Sequence, residues 1–162
     1  MIKNCIQIWA SKKTSLTVLT VGLFLLWPSA THARLGGNLG VGFIAGQPSG
    51  INGKLWLGET TAIDGTLGFN VFENEISLNA DYLWHDFELI RIPQGQMPLY
   101  YGMGLWTVIQ NHGAFGVRGV VGVEYLFPTA PLDAFFEIAP GISILPGTDF
   151  HAEAGIGMRY FF

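Results

Sequence analysis

The chain ends in "HAEAGIGMRYFF", residues 151–162, and this stretch decides the fold. Its even positions, from Ala152 to Phe162, are all apolar or aromatic, whereas its odd positions include His151, Glu153 and Arg159. Alternation with a period of two predicts a β-strand with one apolar and one polar face. The question is which face meets water.

The composition points away from a charged, water-facing exterior. Only 12% of the 162 residues are charged, against roughly 25% in ordinary soluble domains. Hydrophobic residues make up 49%, and there are 22 glycines. The length fits one domain, but little charge is available to solvate its outside.

The first 33 residues read as a secretory signal peptide. Lysines precede an apolar run from Leu16 to Trp27, and small residues lead up to Ala33. We expect cleavage between Ala33 and Arg34. An uncleaved membrane anchor is the alternative, but the apolar run is short of the ~20 residues that a helical span needs.

The expected mature chain, residues 34–162, is acidic. It would keep five basic and twelve acidic residues, a formal charge of −7. Without a basic patch, nucleic acid is not expected as a partner. The lone Cys5 lies in the signal region, so the mature chain would have neither thiol nor disulfide.

The alternation of the last strand recurs along the whole mature chain, interrupted by seven clusters of turn residues such as "GQPSG" and "LPGTD". Seven breaks predict eight strands, which we expect to run antiparallel and up-and-down. They are predicted at 38–46, 51–57, 62–71, 76–89, 98–109, 115–127, 133–144 and 150–162.

In every predicted strand, one face is apolar and the other holds glycine and a few charges. A soluble β-sandwich also alternates, but it needs a charged outside. In a transmembrane β-barrel the apolar face meets lipid and the polar face fills the interior. Within lipid, every backbone N–H and C=O group must also be hydrogen-bonded, which favours a sheet that closes into a barrel. The sequence therefore predicts an all-β fold, an eight-stranded antiparallel transmembrane barrel.

An eight-stranded barrel has an interior that side chains can fill. Inward glycines would relieve crowding around large inward groups such as Trp56, Trp106, Phe135 and Phe161. Lys54 and Asp64 should lie close across their hairpin. Because isolated buried charges are strongly disfavoured, we expect a polar network that plugs the barrel; the alternative is a narrow or gated solute path. The predicted interior network consists of Lys54, Asp64, Asp81, Arg118, Glu124, Glu137, Glu153 and Arg159.

Aromatic residues near the strand ends predict a girdle at the level of the lipid headgroups. A terminal phenylalanine on an alternating strand also resembles the signal by which the outer-membrane insertion machinery recognises its clients. We assign that role to Tyr160 and Phe162. The girdle is predicted at Tyr82, Trp84, Tyr101, Tyr125 and Phe127.

One group of residues could suit acyl transfer. Across the turn at 145–149, Ser143 should sit nearly opposite His151, with Glu153 two residues further on. No nucleophile motif surrounds Ser143, and a lipid substrate would approach from the other face. A lipid hydrolase is therefore the third hypothesis, and no catalytic residue is predicted.

No cofactor or metal is expected. His112 in "QNHG" lacks a second histidine at metal spacing. The "GNLGVG" stretch has the composition of a phosphate loop but opens no helix.

Several stretches resemble a family of small bacterial outer-membrane proteins of unknown function, DUF3996. They are "GQPSGINGKLWLGETTAIDGTLGF", "ADYLWHDF", "PLYYGMG", "PLDAFFEIAPGISILP" and the terminal "GIGMRYFF". The resemblance implies an eight-stranded barrel comparable to the transmembrane domain of OmpA. It supplies no catalytic residues, and it implies porin-like or surface-exposed binding roles. Short outer loops leave little surface for binding a host.

The sequence thus predicts a monomer in the outer membrane of a diderm bacterium, with a membrane-structural or porin-like role. Its expected partners are outer-membrane lipids and the insertion machinery. If both chain ends are periplasmic, the turns at 46–50, 72–75, 110–114 and 145–149 face outward.

Deleting Phe162 should impair assembly more than an interior substitution of similar size, because only the deletion removes the recognition signal. Heat-modifiable migration in gel electrophoresis would measure the folded fraction. Normal folding of the deletion variant would contradict this assignment.

Overall fold

The computed structural model describes residues 35–70, 75–109 and 113–162. The predicted signal peptide, residues 1–33, lies outside these ranges, as do His112 and most of the predicted turns at 72–75 and 110–114. No helix in the described ranges is long and apolar enough to cross a membrane.

The described residues form eight antiparallel strands, each paired with its neighbours in sequence order. The first and last strands also pair, from Gly40 opposite Phe161 to Gln47 opposite Ala154, so the sheet closes. This confirms the predicted all-β, eight-stranded up-and-down barrel. The strands are β1 (Leu39–Gln47), β2 (Ser49–Trp56), β3 (Thr61–Asn70), β4 (Glu75–Asp86), β5 (Leu99–Val108), β6 (Ala114–Leu126), β7 (Leu132–Leu145) and β8 (Phe150–Phe161).

The largest boundary difference is at the end of β4, which was predicted to reach residue 89. The Asp86 carboxylate accepts hydrogen bonds from the backbone N–H groups of Glu88, at 2.8 Å, and Leu89, at 3.2 Å. A side chain that captures nearby N–H groups begins a turn and competes with sheet pairing. The alternation in "HDFELIRIP" therefore continues in sequence after the strand has ended.

The apolar face of the sheet points outward. Phe43, Met103 and Ile156 are each 60–65% exposed, and the other outward positions are also mainly apolar. A monomeric soluble protein rarely exposes a contiguous apolar patch larger than a few hundred Å². An apolar band around a closed barrel is the surface that lipid covers.

Inward rings lie over glycines of neighbouring strands, as expected from the sequence. A Cβ atom on Gly122 would lie 2.3 Å from Cζ of Tyr100, and one on Gly157 would lie 2.4 Å from Cζ of Phe135. On Gly40 it would lie 2.7 Å from the ring of Phe161. The glycines thus provide the volume that the rings occupy.

Gly122→Ala should destabilise the barrel by about 1–3 kcal/mol, because the added methyl group overpacks the interior against Tyr100. Gly119→Ala, on the same strand, is the matched control. Its Cβ would meet only a backbone oxygen at 3.9 Å, so the expected loss is below about 0.5 kcal/mol. Urea unfolding of the lipid-embedded protein measures both, and equal losses would contradict the packing argument.

Candidate functional site

The barrel interior carries two layers of paired charges, here called the inner layer and the outer layer. The inner layer lies toward the end of the barrel that holds both chain termini, and the outer layer lies toward the opposite end. The inner layer consists of Asn52, Lys54, Asp64, His85, Glu124, Asp133 and Arg159, and the outer layer of Asn79, Asp81, Tyr100, Arg118, Glu137 and Glu153.

Arg159 is the centre of the inner layer. Its Nε donates to Asp133 Oδ2 at 2.9 Å, and its Nη1 donates to Asp64 Oδ2 at 2.5 Å and to Asn52 Oδ1 at 3.0 Å. The guanidinium also lies 4.0 Å from the centre of the Phe135 ring. Arg159 is only 2% exposed. One guanidinium therefore ties strands β2, β3, β7 and β8 together through fixed, planar donors.

Lys54 forms the second inner contact, and its partner differs from the expected one. Lys54 and Asp64 are paired across the β2–β3 hairpin, as the sequence predicted. The Lys54 ammonium, however, forms its ion pair with Glu124 and lies 2.8 Å from Nε2 of His85. The Lys54 side chain thus reaches across the lumen to β6, while Asp64 is bound by Asn52 and Arg159.

Arg118 organises the outer layer. Its guanidinium contacts both carboxylate oxygens of Asp81, and its Nη1 donates to Glu153 at 2.5 Å. Glu137 lies further away, at 3.9 Å from Nη2, and also accepts a 3.1 Å hydrogen bond from the Tyr100 hydroxyl. The two-pronged contact with Asp81 is the geometry that makes arginine–carboxylate pairs strong and specific.

All eight residues predicted for the interior network lie inside the barrel, and the structure adds members that the sequence reasoning missed. Asp133 is fully buried but stands at the first residues of β7, beside a proline-rich turn. His85 follows the same inward register as Asp81 on β4. Extending the alternation to strand ends, and counting neutral polar residues such as Asn52, would have found them.

The described interior is unbalanced in charge. It holds six carboxylates against the three basic side chains of Lys54, Arg118 and Arg159. The excess is greatest in the outer layer, where Arg118 faces Asp81, Glu137 and Glu153. Exposure also rises in this direction, since the Glu153 side chain is 17% accessible whereas that of Glu124 is fully buried. The outer layer is therefore the more accessible of the two.

An apolar cap separates the inner layer from the end of the barrel that holds the termini. Trp56, Ala62 and Phe161 are at most 4% exposed and pack as one cluster, with Phe87 against it. The Lys54 ammonium lies 4.2 Å from the centre of the Trp56 ring, directly beneath this cap. A charged solute would have to displace these rings to leave the interior at this end.

The arrangement of Ser143, His151 and Glu153 expected for a hydrolase is not formed. His151 lies opposite Gly141, two residues from the expected partner. The Ser143 hydroxyl donates to the Leu145 carbonyl at 3.1 Å, and Glu153 is bound by Arg118. The hairpin is centred one residue earlier than expected: Ile142 lies opposite Phe150, and the Ser143 N–H donates to the Asp149 carbonyl at 2.8 Å. A shift of one residue in the centre of a hairpin changes every cross-strand partner by two residues.

The aromatic residues predicted for a girdle lie at the end of the barrel that holds the termini. Tyr82, Trp84 and Tyr101 point outward and contact one another, with ring centres 4.8 and 6.1 Å apart. Tyr125 and Phe127 are half-buried. Among the described residues, outward rings at the opposite end that the sequence reasoning did not single out include Phe69, Phe115 and Phe150.

The predicted assembly residues are outward on β8 and after it. Tyr160 is 47% exposed and Phe162 70% exposed, with their ring centres 5.0 Å apart. The backbone N–H of Phe162 donates to the Leu39 carbonyl at 2.9 Å, so the last residue extends the closing pair of strands.

Comparison with known proteins identifies a similar fold but no family. The chain is similar to the N-terminal β-barrel domain of Pseudomonas aeruginosa OprF, with 14% identity and a TM-score of 0.50. The match covers 77% of this chain and 98% of that domain. No protein-family model matches the chain, so the DUF3996 resemblance gains no support from one. No curated protein matches it either. At this identity the likeness concerns the barrel fold alone.

Replacing Arg159 by methionine should cost about 3–5 kcal/mol, because Asp64 and Asp133 would be left buried without their cation. Arg91→Met is the matched control, since the Arg91–Glu88 pair is exposed and such pairs contribute at most about 1 kcal/mol. Equilibrium unfolding in urea measures both variants. A loss for Arg159→Met no larger than that of the control would contradict the role of the inner layer.

Proposed function

We propose that the chain is a bacterial outer-membrane β-barrel with a membrane-structural role and an interior closed to solutes. The apolar exterior supports contact with outer-membrane lipids, since outward residues such as Phe43 and Met103 would otherwise face water. The closed backbone pairing supports it as well, because it leaves no sheet edge inside the hydrocarbon.

The proposed closure of the barrel to solutes rests on one observation: side chains fill the described part of its interior. The inner layer is buried to within 5% of complete, and the apolar cap of Trp56 and Phe161 lies over it. A solute would have to separate Arg159 from two carboxylates and then displace aromatic rings. Both steps are unfavourable, so the resting barrel holds its interior shut.

The proposal includes the route to the membrane. Export would use the signal peptide at residues 1–33, and the insertion machinery would read Tyr160 and Phe162 at the end of β8. The outward position of Phe162 supports this, because a recognition signal has to be accessible. We propose a monomer, and membership of the DUF3996 family rests on the sequence resemblance alone.

A narrow cation path is the second candidate, and the unbalanced charge of the interior favours it. The excess of carboxylates beside Arg118 would attract cations rather than anions.

A surface-binding role has less support, because the loops opposite the termini are short; β1 and β2, for instance, are joined by Pro48 alone. Ser143 and His151 do not lie opposite each other, so they give a hydrolase no support, and we propose no enzymatic activity.

Single-channel recording in planar bilayers, together with solute flux into liposomes, separates the two candidates. The closed barrel predicts no stable conductance for the parent protein, whereas Arg118→Glu should produce openings, because it turns the central cation of the outer layer into a fourth carboxylate.

Glu137→Lys and the exposed-loop variant Arg91→Glu serve as comparisons. If the parent conducts steadily, and if its cation selectivity falls in Glu137→Lys but not in Arg91→Glu, the closed barrel is wrong and the cation path is favoured. If neither the parent nor any interior variant shows conductance, the cation path is excluded.

A further inference from the structure

The outer layer keeps a negative charge after its own ion pairs are counted. Its three carboxylates, those of Asp81, Glu137 and Glu153, face a single guanidinium, so its formal charge is −2. The inner layer cannot supply the missing charge, because its carboxylates also outnumber its lysine and arginine side chains. Unbalanced charge inside a barrel is strongly disfavoured, so the outer layer needs a further counter-charge.

Arg118 leaves part of this charge without a direct contact. It binds both oxygens of Asp81 and Oε2 of Glu153. Oε1 of Glu137, however, lies 3.9 Å from the nearest Arg118 nitrogen, which is too far for a hydrogen bond. The Glu153 side chain is also 17% accessible to solvent, so a small ion can reach the layer.

A second and independent observation is a set of buried polar atoms without partners. Among the described residues, Oδ1 of Asn79, Oγ of Ser77 and Nε1 of Trp106 form no hydrogen bond with the protein. These side chains are only 2%, 9% and 8% exposed. A buried polar group without a protein partner is commonly satisfied by an ordered water or an ion.

The Asn79 amide is directed at the outer layer. Its Nδ2 donates to Oε2 of Glu153 at 3.3 Å, so the oxygen of the same planar amide lies beside that carboxylate. Reversing the amide would set two acceptor oxygens against each other. The free end is therefore Oδ1, an acceptor that needs a hydrogen-bond donor or a cation.

Two rings border the same region. Asn79 and Trp106 are cross-strand partners on β4 and β5, and the Trp106 ring centre lies 4.2 Å from that of His151 on β8. A Cβ on Gly116 would lie 2.5 Å from Nε1 of Trp106, and one on Gly141 would clash with the His151 ring. The rings thus lie against β6 and β7, on the side of the lumen next to Asn79.

These observations favour a divalent cation that keeps its water. Water alone would satisfy the unpaired atoms but not the charge, and a monovalent ion would leave half of the charge unbalanced. Among the described residues, no three histidine, cysteine or acidic side chains are placed to hold a metal ion directly. Mg²⁺ suits such a site, because it is commonly bound through one or two carboxylates and keeps several waters.

We propose that the outer layer binds one hydrated divalent cation of the Mg²⁺ class between Glu137 and Glu153, with a metal-bound water donating to Oδ1 of Asn79. The ion balances the charge of the layer and leaves Arg118 on Asp81. This site goes beyond the proposed membrane role, and a closed barrel and a conducting barrel can both hold it.

Mn²⁺ provides a direct test, because carboxylate and water ligands suit Mg²⁺ and Mn²⁺ alike and the unpaired electrons of Mn²⁺ broaden nearby NMR signals. The full chain is labelled with 5-fluorotryptophan and purified in a maltoside detergent, which has no phosphate group. Single Trp→Phe variants assign the fluorine signals. Trp106 reports on the site, whereas Trp56 in the apolar cap and the outward Trp84 are references.

Mn²⁺ should broaden the Trp106 signal saturably, with half of the effect at about 0.1–1 mM, the range of weak extracellular calcium sites. The Trp56 and Trp84 signals should stay sharp. Mg²⁺ should restore the Trp106 signal by competition, whereas Na⁺ at the same concentration should not.

Charge variants test the ligands, because affinity in such sites follows the number of charged ligands. Glu153→Gln should weaken Mn²⁺ binding at least about tenfold. Asn79→Asp, which places a carboxylate at the unpaired oxygen, should strengthen it, an effect that misfolding would not produce.

Asp149→Asn is the matched control and should leave the affinity unchanged. Asp149 is exposed at the same end of the barrel, and its side chain accepts a 2.9 Å hydrogen bond from the Phe150 N–H that asparagine can keep.

Four results would overturn the site. The first is a Trp106 signal that stays sharp at every Mn²⁺ concentration, as expected if protons balance the layer. The others are equal broadening of all three tryptophans, reversal by Na⁺ as effective as that by Mg²⁺, and an affinity that falls in Asp149→Asn but not in Glu153→Gln. None of these results depends on whether the barrel conducts ions.

Discussion

The guanidinium of Arg159 must be neutralised inside a barrel that has little room for water, and this requirement shapes the rest of the interior. A buried charge is tolerated only when partners surround it. Asp64, Asp133 and Asn52 supply these partners from three other strands. Because the partners come from both sides of the β1–β8 closure, the ion contacts and the closed barrel depend on each other.

Volume is the second constraint, and the glycines satisfy it. An eight-stranded barrel has space for side chains in its interior but not for a large side chain at every inward position. Tyr100 and Phe135 fit because Gly122 and Gly157 stand beside them on the next strand. The high glycine content, which lowers local strand stability, is therefore a condition for filling the interior with rings and long charged side chains.

The two ends of the barrel differ, and the difference bears on function. The end with the termini is closed by the apolar cap and carries the long β4–β5 loop, which lines one side of a cavity there. The opposite end is near the more accessible outer layer and its excess of carboxylates. The interior of this barrel is therefore bordered by apolar rings at one end and lies closer to acidic side chains at the other, whereas a symmetric pore would have similar ends.

The sequence alone determined the strand number, the barrel class and the inward or outward direction of most described strand residues, because the period of two is a local property that every strand repeats. Only the tertiary structure decided the ion partners. Lys54 and Glu124 are 70 residues apart, and Arg159 and Asn52 are 107 apart. Their contacts depend on the stagger between strands, which no local pattern encodes. For the same reason the predicted Ser143–His151 pairing was wrong, since a shift of one residue in the centre of the hairpin changes every cross-strand partner by two. The cavity at the end with the termini could not be predicted from the sequence either, because its walls come from loops that are distant along the chain.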